Sequence, residues 1–211
     1  MKASIGMQTI MKGPKPLHFA IKEFYGVNKY PWQERNILIV RDTTVKADNT
    51  FQDCIAIVGD DGLFAVRCAA VPGTKWTPET RKKYGVREGT IKPGFYPNVW
   101  RFGKHNGKAF IQVGPIDWFE DNDFDKKVSP GERVYKADVC AINIHRKNQD
   151  NAKTVDFASA GCVVPQKHED VEKIVELCGW TGPIDRPPTR RFNGLIVEAD
   201  FPFFSDLMRL I

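Results

Sequence analysis

Two apolar runs joined by a four-residue turn limit what this chain can fold into. Cys54 to Val58 (CIAIV) leads into Gly59-Asp60-Asp61-Gly62 and then Leu63 to Ala69 (LFAVRCA). β-branched Ile and Val fit a pleated surface, and Gly and Asp supply turn conformations, so Cys54 to Ala69 is predicted to be a β-hairpin. A second hairpin is expected where Val99 to Gly103 and Lys108 to Val113 flank His105-Asn106-Gly107, which leaves His105 as an exposed turn residue. Asn36 to Arg41 (NILIVR), Val134 to His145 and Asn193 to Ala199 (NGLIVEA) also read as strands.

Helical spacing marks two places, and the apolar tail from Phe201 to Ile211 is open to a helical reading as well. Leu17, Ala20, Ile21 and Phe24 mark a short amphipathic helix from about Pro16 to Tyr25 that packs on the main body. Val171, Ile174, Val175 and Cys178 share one face of a helix over Gln166 to Cys178, with Gly179 placed to stop it and His168 in its first turn. Strands therefore outnumber helices and arrive in hairpins. The expected class is mainly β with flanking helices (α+β), in an antiparallel β-sandwich or barrel. Residues 36–211 would form the main domain and 1–35 a helical appendage. Trp76 and Tyr84 lie in a looser stretch and are expected to bury against the sheet. The apolar tail from Phe201 to Ile211 is expected to seal the core.

Composition narrows the classes further. With 42% hydrophobic and 27% charged residues in 211, the chain has the make-up of a globular domain, not a disordered one. No apolar stretch approaches eighteen residues and no basic start precedes an apolar run, so neither a membrane partner nor an export signal is expected, and the chain would be made in the cytoplasm. The net charge of +5 is dispersed, with clusters at Arg81-Lys82-Lys83 and Arg190-Arg191 that read as solvated surface; nucleic acid is not an expected partner. Cysteines at 54, 68, 140, 162 and 178 show no CxxC spacing and read as reduced thiols.

Chemistry concentrates between Ala141 and Pro165. His145 follows an alternating run of Val139, Ala141, Ile142 and Ile144, and Cys162 heads a short apolar run, Val163 and Val164. A thiol attacks carbonyls as thiolate, so a catalytic cysteine needs a neighbouring imidazole, and this segment supplies one of each. Gly161 permits a tight turn that would leave the N–H groups of Gly161 and Cys162 facing a developing oxyanion. The thiol itself would be a low-pKa nucleophile. Cys54, Cys68, Cys140 and Cys178 fall in apolar runs and read as packing. A zinc site from His145, Cys162 and His168 lacks a fourth ligand and is not expected. The acidic stretch Asp117 to Asp125 (DWFEDNDFD) invites a calcium reading because carboxylates recur at Asp117, Asp121, Asp123 and Asp125, but it lacks the glycine and the terminal glutamate of an EF-hand loop and reads as a solvated loop anchored by Trp118 and Phe119. No metal or cofactor is expected.

The order His145, then Ser159-Ala160-Gly161-Cys162, with Gly89-Thr90-Ile91-Lys92-Pro93-Gly94-Phe95-Tyr96 upstream, resembles the L,D-transpeptidase (YkuD-type) catalytic domain family over residues 36 to 165. More narrowly, it is similar to a divergent branch associated with phage and prophage. The resemblance implies a Cys162–His145 dyad whose imidazole is oriented by the backbone carbonyl of Arg146, with Asp156 and Asn143 as alternative orienting groups. Ser159 would hydrogen-bond within the site or to substrate. The implied activity is acyl transfer or peptidase action on peptidoglycan stem peptides, with the cell wall and other virion proteins as partners. The family's histidine before the glycine is Ala160 here, and its polar residue two positions after the cysteine is Val164. Those changes favour hydrolysis over cross-linking. The alternative is a structural or virion protein that keeps the fold without catalysis.

Overall fold

Ile, Leu and Val fill Asn36–Val40 (β1) without a polar break because both faces of that strand are covered. In the computed structural model, which describes residues 16–86 and 89–211, Ile37 and Ile39 face one core while Leu38 and Val40 face a second. Asp53–Gly59 (β2) divides in the same way: Ile55 and Ile57 join the first core and Cys54, Ala56 and Val58 the second. The period-2 alternation of a strand thus sorts one apolar run into two layers.

The chain runs through Leu17–Val27 (α1), β1, β2, Gly62–Ala69 (β3), Pro78–Tyr84 (α2), Thr90–Ile91 (β4), Gly94–Lys104 (β5), Lys108–Gln112 (β6), Ile116–Phe119 (β7), Val134–Asp138 (β8), Val164–Pro165 (β9), His168–Leu177 (α3), Arg191–Val197 (β10) and Phe204–Met208 (α4). Seven strands form a curled sheet in the order β6-β5-β10-β1-β2-β3-β9, and β4-β7-β8 form a second sheet of three. The molecule is mainly β with flanking helices. Among the described residues all strand pairs are antiparallel except β1 with β10, which are parallel with Leu38 opposite Leu195.

On the outer face of the large sheet, α1 and the C-terminal tail share one core: Ile21, Tyr25, Phe201 and Leu207 are buried beside Leu38, Val40 and Val58. The helix of the expected appendage thus packs onto the sheet, while residues 1–15 lie outside the described ones. The inner face holds Trp100, Phe102, Phe110 and Phe192, covered by Val171, Ile174 and Val175 of α3 and by Trp118 of the small sheet. No helix among the described residues is long and apolar enough to cross a membrane.

Three sequence expectations are corrected. Val134 to His145 is not one strand: β8 ends at Asp138 in the small sheet, and the chain turns away through Ala141, whose φ is +64°. The buried Gln112 side chain replaces the missing ladder, its Oε1 accepting from the N–H groups of Cys140 (3.2 Å) and Ile142 (2.8 Å). The looser stretch contains a helix, α2, capped by Thr77, whose hydroxyl accepts from the Thr80 N–H, and ended by Gly85 in the left-handed region. Tyr84 at its end is 58% exposed, whereas Trp76 is buried.

Candidate active site

Ile144 pairs in parallel with Val163, and both side chains enter the inner core. Alternation then turns Asn143, His145 and Cys162 to the other face, with Cys162 beside Asn143 and one diagonal from His145. The Asn143 carbonyl accepts from the Val163 N–H at 2.8 Å, and the Val163 carbonyl accepts from the His145 N–H at 3.1 Å, which locks the two segments together. The structure therefore brings His145 and Cys162 onto one face of adjacent extended segments.

His145 is buried, and its Nδ1 lies 2.8 Å from the Arg146 carbonyl oxygen. A carbonyl oxygen only accepts, so Nδ1 carries the proton and Nε2 keeps its lone pair. Nε2 is buried and has no partner among the described residues. Neither Asp156 nor Asn143 orients the ring: Asp156 binds Asn49, Lys75, Lys147 and Thr154, and the Asn143 Oδ1 accepts from the Gln112 N–H. Burial, opposed by the Arg146 hydrogen bond and reinforced by His105, pushes the His145 pKa down to about 4. The imidazole is neutral at pH 7.

The Cys162 thiol donates to the Ala141 carbonyl at 3.6 Å and accepts from the Asn143 N–H at 3.4 Å. Burial pushes its pKa up to about 11 against a smaller lowering by that N–H. The expected low-pKa nucleophile is thus a neutral thiol, because among the described residues no cation stands beside the sulfur to hold a thiolate. No hydrogen bond joins Sγ to Nε2 among the described residues. The pair is neutral on both sides, and proton transfer to Nε2 requires the thiol to turn from Ala141.

Ser159 and Gly161 build the turn rather than face a ligand. The Ser159 hydroxyl, fully buried, is shared between the carbonyls of Cys162 (2.7 Å) and Val71 (3.0 Å) and accepts from the Gly161 N–H at 3.1 Å. The Gly161 N–H is therefore committed, and Ser159 has no hydroxyl left for substrate. The Cys162 N–H remains without a partner among the described residues and is the donor available to an oxyanion. At Gly161, φ is +126° and an added Cβ would stand 2.3 Å from the Gly89 carbonyl oxygen, so glycine is required on both counts.

Cys162 opens into a narrow cleft of about 50 Å³ lined by Gly89, Trp118, Cys140, Ala141 and Ala160. His145 borders a wider cleft of about 390 Å³ with Lys75, His105, Lys147, Asp156 and Phe157. Ala160 thus lines the Cys162 cleft, but Val164 is buried in a side cluster with Phe51, Ala69 and Val155 and lines neither cleft. His105 is exposed as expected, yet its ring touches that of His145, a contact that the Asn106-Gly107 turn alone does not signal. Gln112, which holds the backbone before the site, carries no sequence signal either. His168 binds the Lys147 carbonyl through Nε2 at 2.6 Å and does not gather with His145 and Cys162 as a metal ligand.

No protein-family model matches this chain, and no curated protein matches it.

Proposed function

We propose that this chain is a cysteine-dependent acyl transferase or peptidase of peptidoglycan stem peptides, with an L,D-transpeptidase-like fold and Cys162 and His145 as its dyad. The reading is supported above all by the Nδ1–Arg146 hydrogen bond, which fixes the tautomer that leaves a bare, buried Nε2 on the face of the thiol. In the proposed mechanism neutral His145 takes the Cys162 proton at Nε2 as sulfur attacks a peptide carbonyl, and the Cys162 N–H donates to the oxyanion. The imidazolium returns the proton to the leaving amine, and the thioester then passes to water or to an amine. Ala160 in the nucleophile's cleft offers no side-chain hydrogen bond to a peptide acceptor, which favours water. Such a role suits a phage-encoded product that reaches the wall with a virion or at lysis.

A second reading is favoured by the thiol's bond to Ala141: a virion structural protein that keeps the site without turnover. Incubating the purified chain with muropeptides and reading masses separates the readings. Shortened stems are expected from the wild type and none from Cys162→Ala; dimers would replace hydrolysis by cross-linking, and unchanged stems would favour the structural protein.

A further inference from the structure

The loop between β7 and β8 contains an ordered set of oxygen ligands that neither the dyad nor the sheet requires. Counting from Asp121, acidic side chains stand at positions one, three and five (Asp121, Asp123, Asp125), a hydroxyl at nine (Ser129) and a glutamate at twelve (Glu132). This is the spacing by which a twelve-residue loop wraps a calcium ion, with the backbone carbonyl of position seven, Lys127, as a further ligand. The glutamate that the stretch Asp117 to Asp125 lacks stands seven residues beyond its end. The glycine of position six is Lys126, which adopts the left-handed backbone that the glycine normally supplies, with φ +66°.

Acidic spacing alone does not make a site; Asp121 adds the second observation. It is fully buried, its Oδ2 accepts from the Thr90 hydroxyl (3.3 Å) and the Lys126 N–H (3.0 Å), and its Oδ1 has no partner among the described residues. One carboxylate oxygen from each of Asp121, Asp123 and Glu132 lies within 4.8 Å of the others, the separation at which one ion with bonds of about 2.4 Å joins all three. A buried carboxylate oxygen without a donor is costly, and a cation is the partner that its two carboxylate neighbours leave room for.

Two positive groups near the loop are engaged elsewhere. The Lys126 ammonium turns from the loop to the Asp42 carbonyl, Gln52 and Asp53, and Arg81 binds the Asn122 side-chain oxygen. None of the four loop carboxylates pairs with a lysine or arginine among the described residues. Backbone N–H groups instead hold the loop in its curl: those of Asn122 and Ser129 donate to the two oxygens of Glu132 at 2.6 and 2.8 Å, and that of Lys127 donates to Asp125 at 2.8 Å. Burial first, offset in part by the Lys126 N–H, and then Glu132, Asp125 and Asp123 raise the Asp121 pKa to about 6.

We infer that residues 121–132 form a calcium site, with ligands from Asp121, Asp123, Asp125, Ser129, Glu132 and the Lys127 carbonyl. The site does not depend on the proposed catalysis. It does tie into the cleft of Cys162: Thr90, which holds Asp121, pairs with Phe119, and the next pair in that ladder is Ile91 with Trp118, a wall of the cleft. Occupancy would therefore stiffen that wall.

The test is calorimetric titration of the chelator-treated full chain with CaCl2 and with MgCl2, alongside thermal unfolding at up to about 1 mM of each, the weak end of affinity for such loops. One calcium per chain, a raised Tm, and magnesium at least about tenfold weaker are expected, since magnesium demands a smaller, stricter octahedron. Glu132→Gln should weaken calcium about tenfold or more. Asp121→Asn should abolish binding while raising the Tm of the metal-free chain, because an amide carries no buried charge. Should either variant fail to fold, the exposed Asp123→Asn gives the same readout of weakened binding. The absence of both binding heat and a Tm shift with the wild-type chain would overturn the site, as would magnesium binding as tightly as calcium or an unchanged affinity in Glu132→Gln.

Discussion

The ring of His105 stands at 64° to that of His145 with centroids 4.2 Å apart, so an exposed turn residue covers the proposed base. Both the burial it contributes and its own positive form work against a charged His145. His105→Ala is therefore expected to raise the His145 pKa from about 4 towards its ordinary value, and to move the acid limb of any activity profile to higher pH. Imidazole proton shifts followed by NMR across a pH series check this; an unmoved titration would remove His105 from the site's electrostatics.

The sequence places a reactive thiolate at Cys162, and its surroundings give the opposite. With the thiol pushed up to about 11, alkylation by iodoacetamide should be slow at pH 6 and rise about tenfold per pH unit through pH 9. Buried Cys54, Cys68 and Cys178 should stay unlabelled in the folded chain. Mass mapping of labelled peptides reads the outcome, with a Cys140→Ser background to isolate Cys162.

His145 links the site to stability. Its folded pKa is about 4 against 6.5 unfolded, so between those values the unfolded chain binds the extra proton. The stability that the neutral ring contributes is complete above the unfolded value and is lost as pH falls towards the folded one. Relative to His145→Gln, the wild type should lose about 3 kcal/mol more between roughly pH 7.5 and pH 3.5. Urea unfolding of both proteins at a set of pH values gives the difference, and parallel curves would show that His145 is not buried as a neutral group.

Ser159→Ala removes a hydroxyl that bridges Val71, Gly161 and Cys162. A buried Gly161 N–H would be left unpaired, so a loss of about 1 to 3 kcal/mol in unfolding free energy is expected. Were Ser159 instead a substrate contact, the variant would raise KM with no change in unfolding.

Lys126 reaches Asp53 at 3.4 Å with both side chains almost wholly buried, and Asp53 also accepts from the N–H groups of Asp42 and Ala70. Lys126→Met leaves that carboxylate without its cation and is expected to cost about 3 to 5 kcal/mol. The double variant with Asp53→Asn should recover part of the loss, which a double-mutant cycle measures.

β1 and the β2–β3 hairpin were legible because their apolar runs are continuous and bounded by turn residues. The α2 helix was written in Thr77, Pro78 and Gly85, but its seven residues (PETRKKY) carry no apolar period to draw notice. The order His145, Ser159, Gly161, Cys162 located the candidate site, yet not its electrostatics: the neutral thiol follows from burial against Ala141 and Asn143, which no spacing reports. Glu132 stands seven residues beyond the acidic cluster that ends at Asp125, so the proposed twelve-residue loop is not visible in that cluster alone.

The parallel pairing of β1 with β10 sets the order in which this protein can mature on the ribosome. The strand that joins the two parts of the large sheet, β10, is the last of its strands to be synthesised, so β6 and β5 wait on one side and β1, β2, β3 and β9 on the other until residues 191–197 emerge. Nascent chains stalled before β10 would expose the flanks of β1 and β5 as open edges, ready to pair with the wrong neighbour.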